Sequence, residues 1–168
     1  MITWTPSAPS VIVQNTGNGL PQSLDAAVFN GQAFATRVVV GAVAAQSSSA
    51  GISNAAASGK DVYIDGIIAV LSAASQIAIG IAAAGFGVGS AWHSMKAGGV
   101  DAVATMRALN QVGIPHTVRT ADIDPGAVLT TTWFPPRGPM LIPAGQAFAV
   151  GLLTVNVGLT LAVFGREY

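Results

Sequence analysis

Two stretches of this chain, residues 66–95 and 138–165, carry no charged side chain, yet their apolar residues alternate as in strands instead of running together. Each is long enough to cross a bilayer as a helix. The patterning opposes that reading. Around the start of the first stretch, Val62, Ile64, Ile68 and Val70 share one strand face, and Ile77, Ile79 and Ile81 share another, with Ala78 and Gly80 between them. Ser72, Ser75, Gln76, Ser90, His93 and several glycines interrupt it, and Pro139, Pro143 and Gly145 break the second. Strand periodicity with such breaks moves the hidden surface from lipid to protein, which implies a β-rich subunit packed against other copies.

The rest of the composition fits close contact with neighbours. Charged residues make up 8% of the 168, against about a quarter in an ordinary soluble domain, while 51% are hydrophobic and the mean hydropathy is +0.58. Seven basic residues balance seven acidic ones, and Arg37, Arg107, Arg119, Arg137 and Arg166 are scattered. This gives no electrostatic reason for a nucleic acid or an anionic membrane as partner. There is no cysteine, so disulfides, thiolate catalysis and Cys-based zinc sites are excluded. The first residues lack a basic n-region and are interrupted by Pro6 and Pro9, unlike a signal peptide.

Along the chain, residues 1–36 read as an extended arm and lead-in, punctuated by Pro6, Pro9, Asn15, Gly17, Asn18, Gly19 and Pro21, with a short strand at 11–13. A domain over 37–168 follows. A strand at 37–45 precedes a small polar segment, Ser47 to Asn54, that reads as a flexible loop. Residues 61–71 and 76–84, joined at 72–75, read as an antiparallel hairpin. Residues 100–112 have a weak helical face ending at Gly113 and Pro115, which predicts a short helix. Strands are expected at 117–123 and 127–134 about Asp124-Pro125-Gly126, then at 140–142, 146–154 and 158–167, with a stiff loop at 135–139. Many short strands with frequent turn signals predict an all-β, jelly-roll-like antiparallel β-sandwich.

The segment Met140-Leu141-Ile142-Pro143-Ala144-Gly145-Gln146-Ala147-Phe148-Ala149-Val150, followed by Leu159-Thr160-Leu161-Ala162-Val163-Phe164-Gly165-Arg166-Glu167-Tyr168, resembles the C-terminal end of small jelly-roll virion proteins of tailed bacteriophages. Lys60-Asp61-Val62-Tyr63-Ile64-Asp65-Gly66-Ile67 is also similar, while the Ala-rich piece after it and residues 93–116 have no match there. The resemblance lies in strands and turns, not in a catalytic signature. It implies a capsid decoration or cement protein on the outside of the virion, a homotrimer whose other partner is the major capsid protein. A receptor-binding or adhesin head of a fibre or collar is the alternative.

Candidate chemistry is sparse. His93 and His116 lie far apart, without a second ligand at metal spacing, and read as surface or interface hydrogen-bonders. Asp61 with Asp65, and Asp122 with Asp124, are pairs that could hold a hard cation, although turn and solvent positions explain them more simply. Ser47, Ser48 and Ser49 lack a nucleophile elbow, and Gly85-x-Gly87-x-Gly89 lacks the residues of a phosphate loop. No acid, base or nucleophile constellation points to an enzyme, and no cofactor is implied. Trp4, Trp92, Trp133 and Phe134 are the candidate partner-interface residues, because aromatics in arms and loops are enriched where partners pack, although Trp133 and Phe134, ending a strand, fit a core position equally well.

Overall fold

The structure, a computed structural model, describes Val28 and residues 30–168. Trp4, the short strand expected at 11–13 and most of the arm lie outside the described residues. The described chain is all-β, with β1 (Ala33–Val40), β2 (Ser47–Ser53), β3 (Val62–Leu71), β4 (Ile77–Ala83), β5 (Val88–Ala91), β6 (Thr105–Gln111), β7 (His116–Ile123), β8 (Thr130–Trp133), β9 (Met140–Ile142), β10 (Gln146–Leu152) and β11 (Leu159–Glu167). Two antiparallel sheets form a sandwich. One is ordered β1-β11-β3-β8, with β9 also on β3, and the other β5-β6-β2-β10-β4-β7. The chain changes sheet at each step from β1 to β4, from β7 to β8 and from β9 to β11, so that β1-β11-β3-β8 faces β2-β10-β4-β7 in jelly-roll order. The β5 and β6 strands are inserted between β4 and β7 and extend the second sheet beyond β2.

This connectivity corrects the expected hairpin. β3 and β4 lie in opposite sheets, so residues 72–76 carry the chain across the sandwich, and Asp124-Pro125-Gly126 does the same between β7 and β8. Periodicity reports which face a strand buries, not which strand lies beside it. The core is the space between the sheets. Ile52, Met106, Ile77, Ile79, Phe148, Val150 and Leu152 from one sheet meet Val62, Ile64, Ile67, Ala69, Leu71, Leu159, Leu161 and Val163 from the other.

A bulge breaks the single face expected along β3. Phe164 is opposite Gly66 and Gly165 is opposite Ile64, which leaves Asp65 unpaired in the ladder. Val62 and Ile64 are buried before the bulge and Ile67, Ala69 and Leu71 after it, while Ile68 and Val70 turn to solvent. The extra residue brings Asp65 to Arg166 of β11. Its carboxylate accepts from Nε at 3.0 Å and from Nη2. Burial opposes the guanidinium charge, but the Asp65 carboxylate, helped by Tyr168, outweighs it and holds the Arg166 pKa above its ordinary value. The adjacent Glu167 is also buried, its two oxygens accepting from the backbone N–H of Val103 (3.0 Å) and Ala104 (2.7 Å).

Two segments differ from their sequence reading. Ser47 to Ser53 is not a loop but a wholly buried strand, flanked by β6 and β10. Ser48 points inward and donates to the Val157 carbonyl at 2.7 Å, and Asn54 donates to the carbonyls of Lys60 and Ile142, both at 3.0 Å. Small size admits these residues where sheets crowd, and hydrogen bonds offset their polarity. The stretch 100–112 holds β6, not a helix, because pairing with β2 and β5 overrides a weak helical pattern. β1 also begins earlier than expected, at Ala33 instead of Arg37.

Candidate association surface

The outward face of the five-stranded sheet is the surface that best combines flatness with lack of charge. Strand register lays it out in rows: Val39, Thr160, Val70 and Thr130, then Arg37, Ala162, Ile68 and Thr132, then Ala35, Phe164 and Gly66. Phe134 lies over Gly66, with ring carbons 2.5 and 2.7 Å from where a Cβ would stand. Val39 and Phe134 are 63% and 65% exposed, and Ile68 and Val70 are partly exposed. In these rows Arg37 is the one charged side chain. Alternation alone misses Ile68 and Val70, because without the bulge they fall in register with buried Val62 and Ile64.

At about 4.8 Å per strand and 3.4 Å per residue, the rows cover on the order of 300 Å². A stable interface takes about 800 Å² from each partner. The face therefore needs loops beside it, or repetition, to hold a neighbour.

The four candidate aromatics separate. Trp4 is outside the described residues. Trp92 is corrected from interface to core: it is fully buried, its ring centroid 5.3 Å from that of Phe34, and its Nε1–H donates to the Val163 carbonyl at 3.4 Å. Trp133 points between the sheets, stacked on buried Phe148 with centroids 6.1 Å apart and planes at 18°, and its remaining surface lines a cleft. Phe134, the next residue, faces outward. Strand alternation thus splits two adjacent aromatics between core edge and surface.

The acidic pairs do not converge. Asp65 is taken by Arg166, Asp122 accepts from Arg119 Nη2 at 2.6 Å, and Asp124 accepts from the Gly126 N–H at 2.9 Å and from Gln76 Nε2 at 3.3 Å. The Gly126 and Gln76 hydrogen bonds lower the Asp124 pKa. Asp61 is exposed, its backbone exchanging hydrogen bonds with Tyr168. Among the described residues no group of three or more His, Cys, Asp or Glu side chains could hold a metal ion. Nor is any helix among them long and apolar enough to cross a membrane.

His93 is exposed beside Asp101 at 2.9 Å. His116 has a different setting, on the outward side of the six-stranded sheet. Small residues form its floor: Gly51 on β2, Gly80 on β4, and Ala149 and Gly151 on β10. The ring lies close over Gly80, with Cδ2 2.7 Å from the missing Cβ, and Nε2 donates to the Ala149 carbonyl at 2.9 Å. Ile114 covers Gly151 in the same way, its Cγ2 2.7 Å from that Cβ position. The chain around 114–116 is thus a cover over a glycine-rich floor, with Nδ1 of His116 and Oγ of Ser49 buried without hydrogen-bond partners among the described residues.

Burial pushes the His116 pKa below 6.5, against the Ala149 hydrogen bond that raises it; Arg119 nearby lowers it and Asp122 raises it. The unfolded chain therefore binds this proton more readily than the folded one. Stability is fully present above about pH 6.5 and declines as the pH falls toward the lowered folded value. His116→Gln keeps a donor and removes the titration, so its melting temperature should depend less on pH between about 7.5 and 5 than that of the wild type. Equal slopes would contradict this.

Against this geometry the comparisons are blank: no protein-family model, no curated protein and no solved structure matches the chain.

Proposed function

We propose that this protein is a non-enzymatic virion structural protein, a jelly-roll subunit that binds the outside of a bacteriophage capsid as a homotrimer and braces the head. The observation that carries the reading is the flat outward face of the five-stranded sheet, one charge in three rows on a chain with few charges anywhere. The resemblance of residues 140–168 to such proteins supplies the capsid as partner. A face of a few hundred Å² is too small to hold alone, so loops beside it complete the seam between subunits, and the weaker contacts of each trimer with the capsid add through avidity over a shell. Neutral surface also suits a seam, because charges buried there lose more hydration than they regain.

The direct test is to mix purified protein with undecorated capsids and image them. Regular occupancy of lattice positions supports the proposal, and a stable trimer that ignores capsids but binds cells favours the adhesin head instead. The face is tested separately by Val39→Glu with Val70→Glu. Val39 is exposed and Val70 partly so, and folding should change by no more than about 1 kcal/mol at either site, which the melting temperature checks. Mass in solution should fall from trimer to monomer, while Val118→Glu, exposed on β7 of the other sheet, leaves it unchanged. A trimer that persists in the double variant removes this face from the interface.

A further inference from the structure

At the open edge of the sandwich, Thr120 and Ala121 of β7 face Trp133, Met140 and residues 135–139 across a cleft of about 530 Å³. That volume lies in the range of specific ligand sites, roughly 300 to 1,000 Å³. Its walls are mostly apolar, and prolines at 135, 136 and 139 stiffen one of them. Two donors remain available. The Trp133 indole N–H is not sealed from solvent and has no partner among the described residues, and the exposed Arg137 has no ion-pair or hydrogen-bond partner among them.

We infer that this cleft takes the proline-bearing segment of this same chain, residues 4–9, Trp4-Thr5-Pro6-Ser7-Ala8-Pro9. An aromatic ring between prolines, with an indole N–H directed at a carbonyl, is the chemistry that recognises a Pro-x-x-Pro segment in its extended left-handed form. Residues 1–24 contain no charged side chain, which matches a cleft whose one charge sits on a long stem at its rim. Reach is sufficient. The described chain enters the sandwich at Ala33, in the row Ala33, Arg166, Tyr63 and Leu141, so the β9 side of the sheet lies about 14 Å away at three strand spacings. Residues 10–32 span up to about 75 Å when extended, enough to reach the cleft of the same copy or a neighbour.

The absence of cysteine makes the test clean. In the full chain, Ser7→Cys is combined with Pro139→Cys at the cleft or, as control, with Val155→Cys in the turn between β10 and β11. Under mild oxidation the disulfide between the introduced thiols at positions 7 and 139 should form at least tenfold faster than the control, and the advantage should vanish when Pro6 and Pro9 are both replaced by alanine. Mixing the two single variants then tells whether the segment comes from the same copy or another, both being occupancy by this chain. Equal rates at the two sites, or an advantage untouched by losing the prolines, would overturn the proposal. Melting temperatures of every variant check that the sandwich is intact.

Discussion

Replacing Asp65 by alanine is expected to destabilise the protein by about 3–5 kcal/mol, because it removes the carboxylate that balances the buried Arg166 guanidinium and leaves it the hydrogen bond with Tyr168. The side chains of Arg166 and Asp65 are 6% and 20% exposed, so water cannot take the place of the carboxylate. For a domain of this size that loss lowers the melting temperature by roughly 6–20 °C, and it is a large fraction of a typical stability of about 5–15 kcal/mol. The comparison within the molecule is Asp122→Ala. Its pair with Arg119 is 55% and 44% exposed, and its loss should cost no more than about 1 kcal/mol. Removing both buried charges, Asp65→Leu with Arg166→Met, should be milder than Asp65→Ala alone. Thermal or denaturant unfolding measures all three, and equal effects at Asp65 and Asp122 would refute the claim.

The second large effect is expected at Gly51, in the centre of β2. A Cβ there would stand 1.9 Å from the Phe148 carbonyl oxygen and 2.9 Å from the Ala149 Cα. Both atoms belong to the backbone of β10, which is held on its far side by β4, so no side chain can swing away to make room. Gly51→Ala must push neighbouring central strands apart, and a loss above about 3 kcal/mol, or failure to fold, is expected from strain of that kind. Gly59→Ala, at an exposed turn with nothing within 4 Å of the new methyl, is the control for glycine itself, although its φ of +62° carries a smaller strain. If the two variants unfold alike, crowding at β2 is not what Gly51 relieves.

The sandwich was legible where a strand buries large residues on one side only. β4, β10 and β11 announce themselves through Ile77 and Ile79, Phe148 and Val150, and Leu159, Leu161 and Val163. Where small residues let strands crowd together, the signal disappears. Ser47 to Ser53 has the composition of a loop because its outward side chains have no space to be larger. Partners far apart in sequence were also hidden. Nothing local to Asp65 reveals that a bulge will turn it toward Arg166, 101 residues away, or that the same bulge exposes Ile68 and Val70. Likewise Trp92, among glycines and serines, reads as a loop aromatic until the chain around it is seen pairing with the start of β1. Of the proposed surface, Phe134 was visible and the rows beside it were not.

The sheet edge beside β3 is not one strand but a pair of short pieces, β8 of four residues and β9 of three, separated by three prolines. A long unbroken edge on so uncharged a protein would invite another copy to add its own strand, and that one a next, without limit. Proline lacks the N–H such growth requires, and the outlying loop bars a straight approach. For the homotrimer proposed above, the interruption disfavours strand addition at this edge. Such an edge leaves association to side chains, whose geometry can close on a finite number of copies where backbone pairing would not.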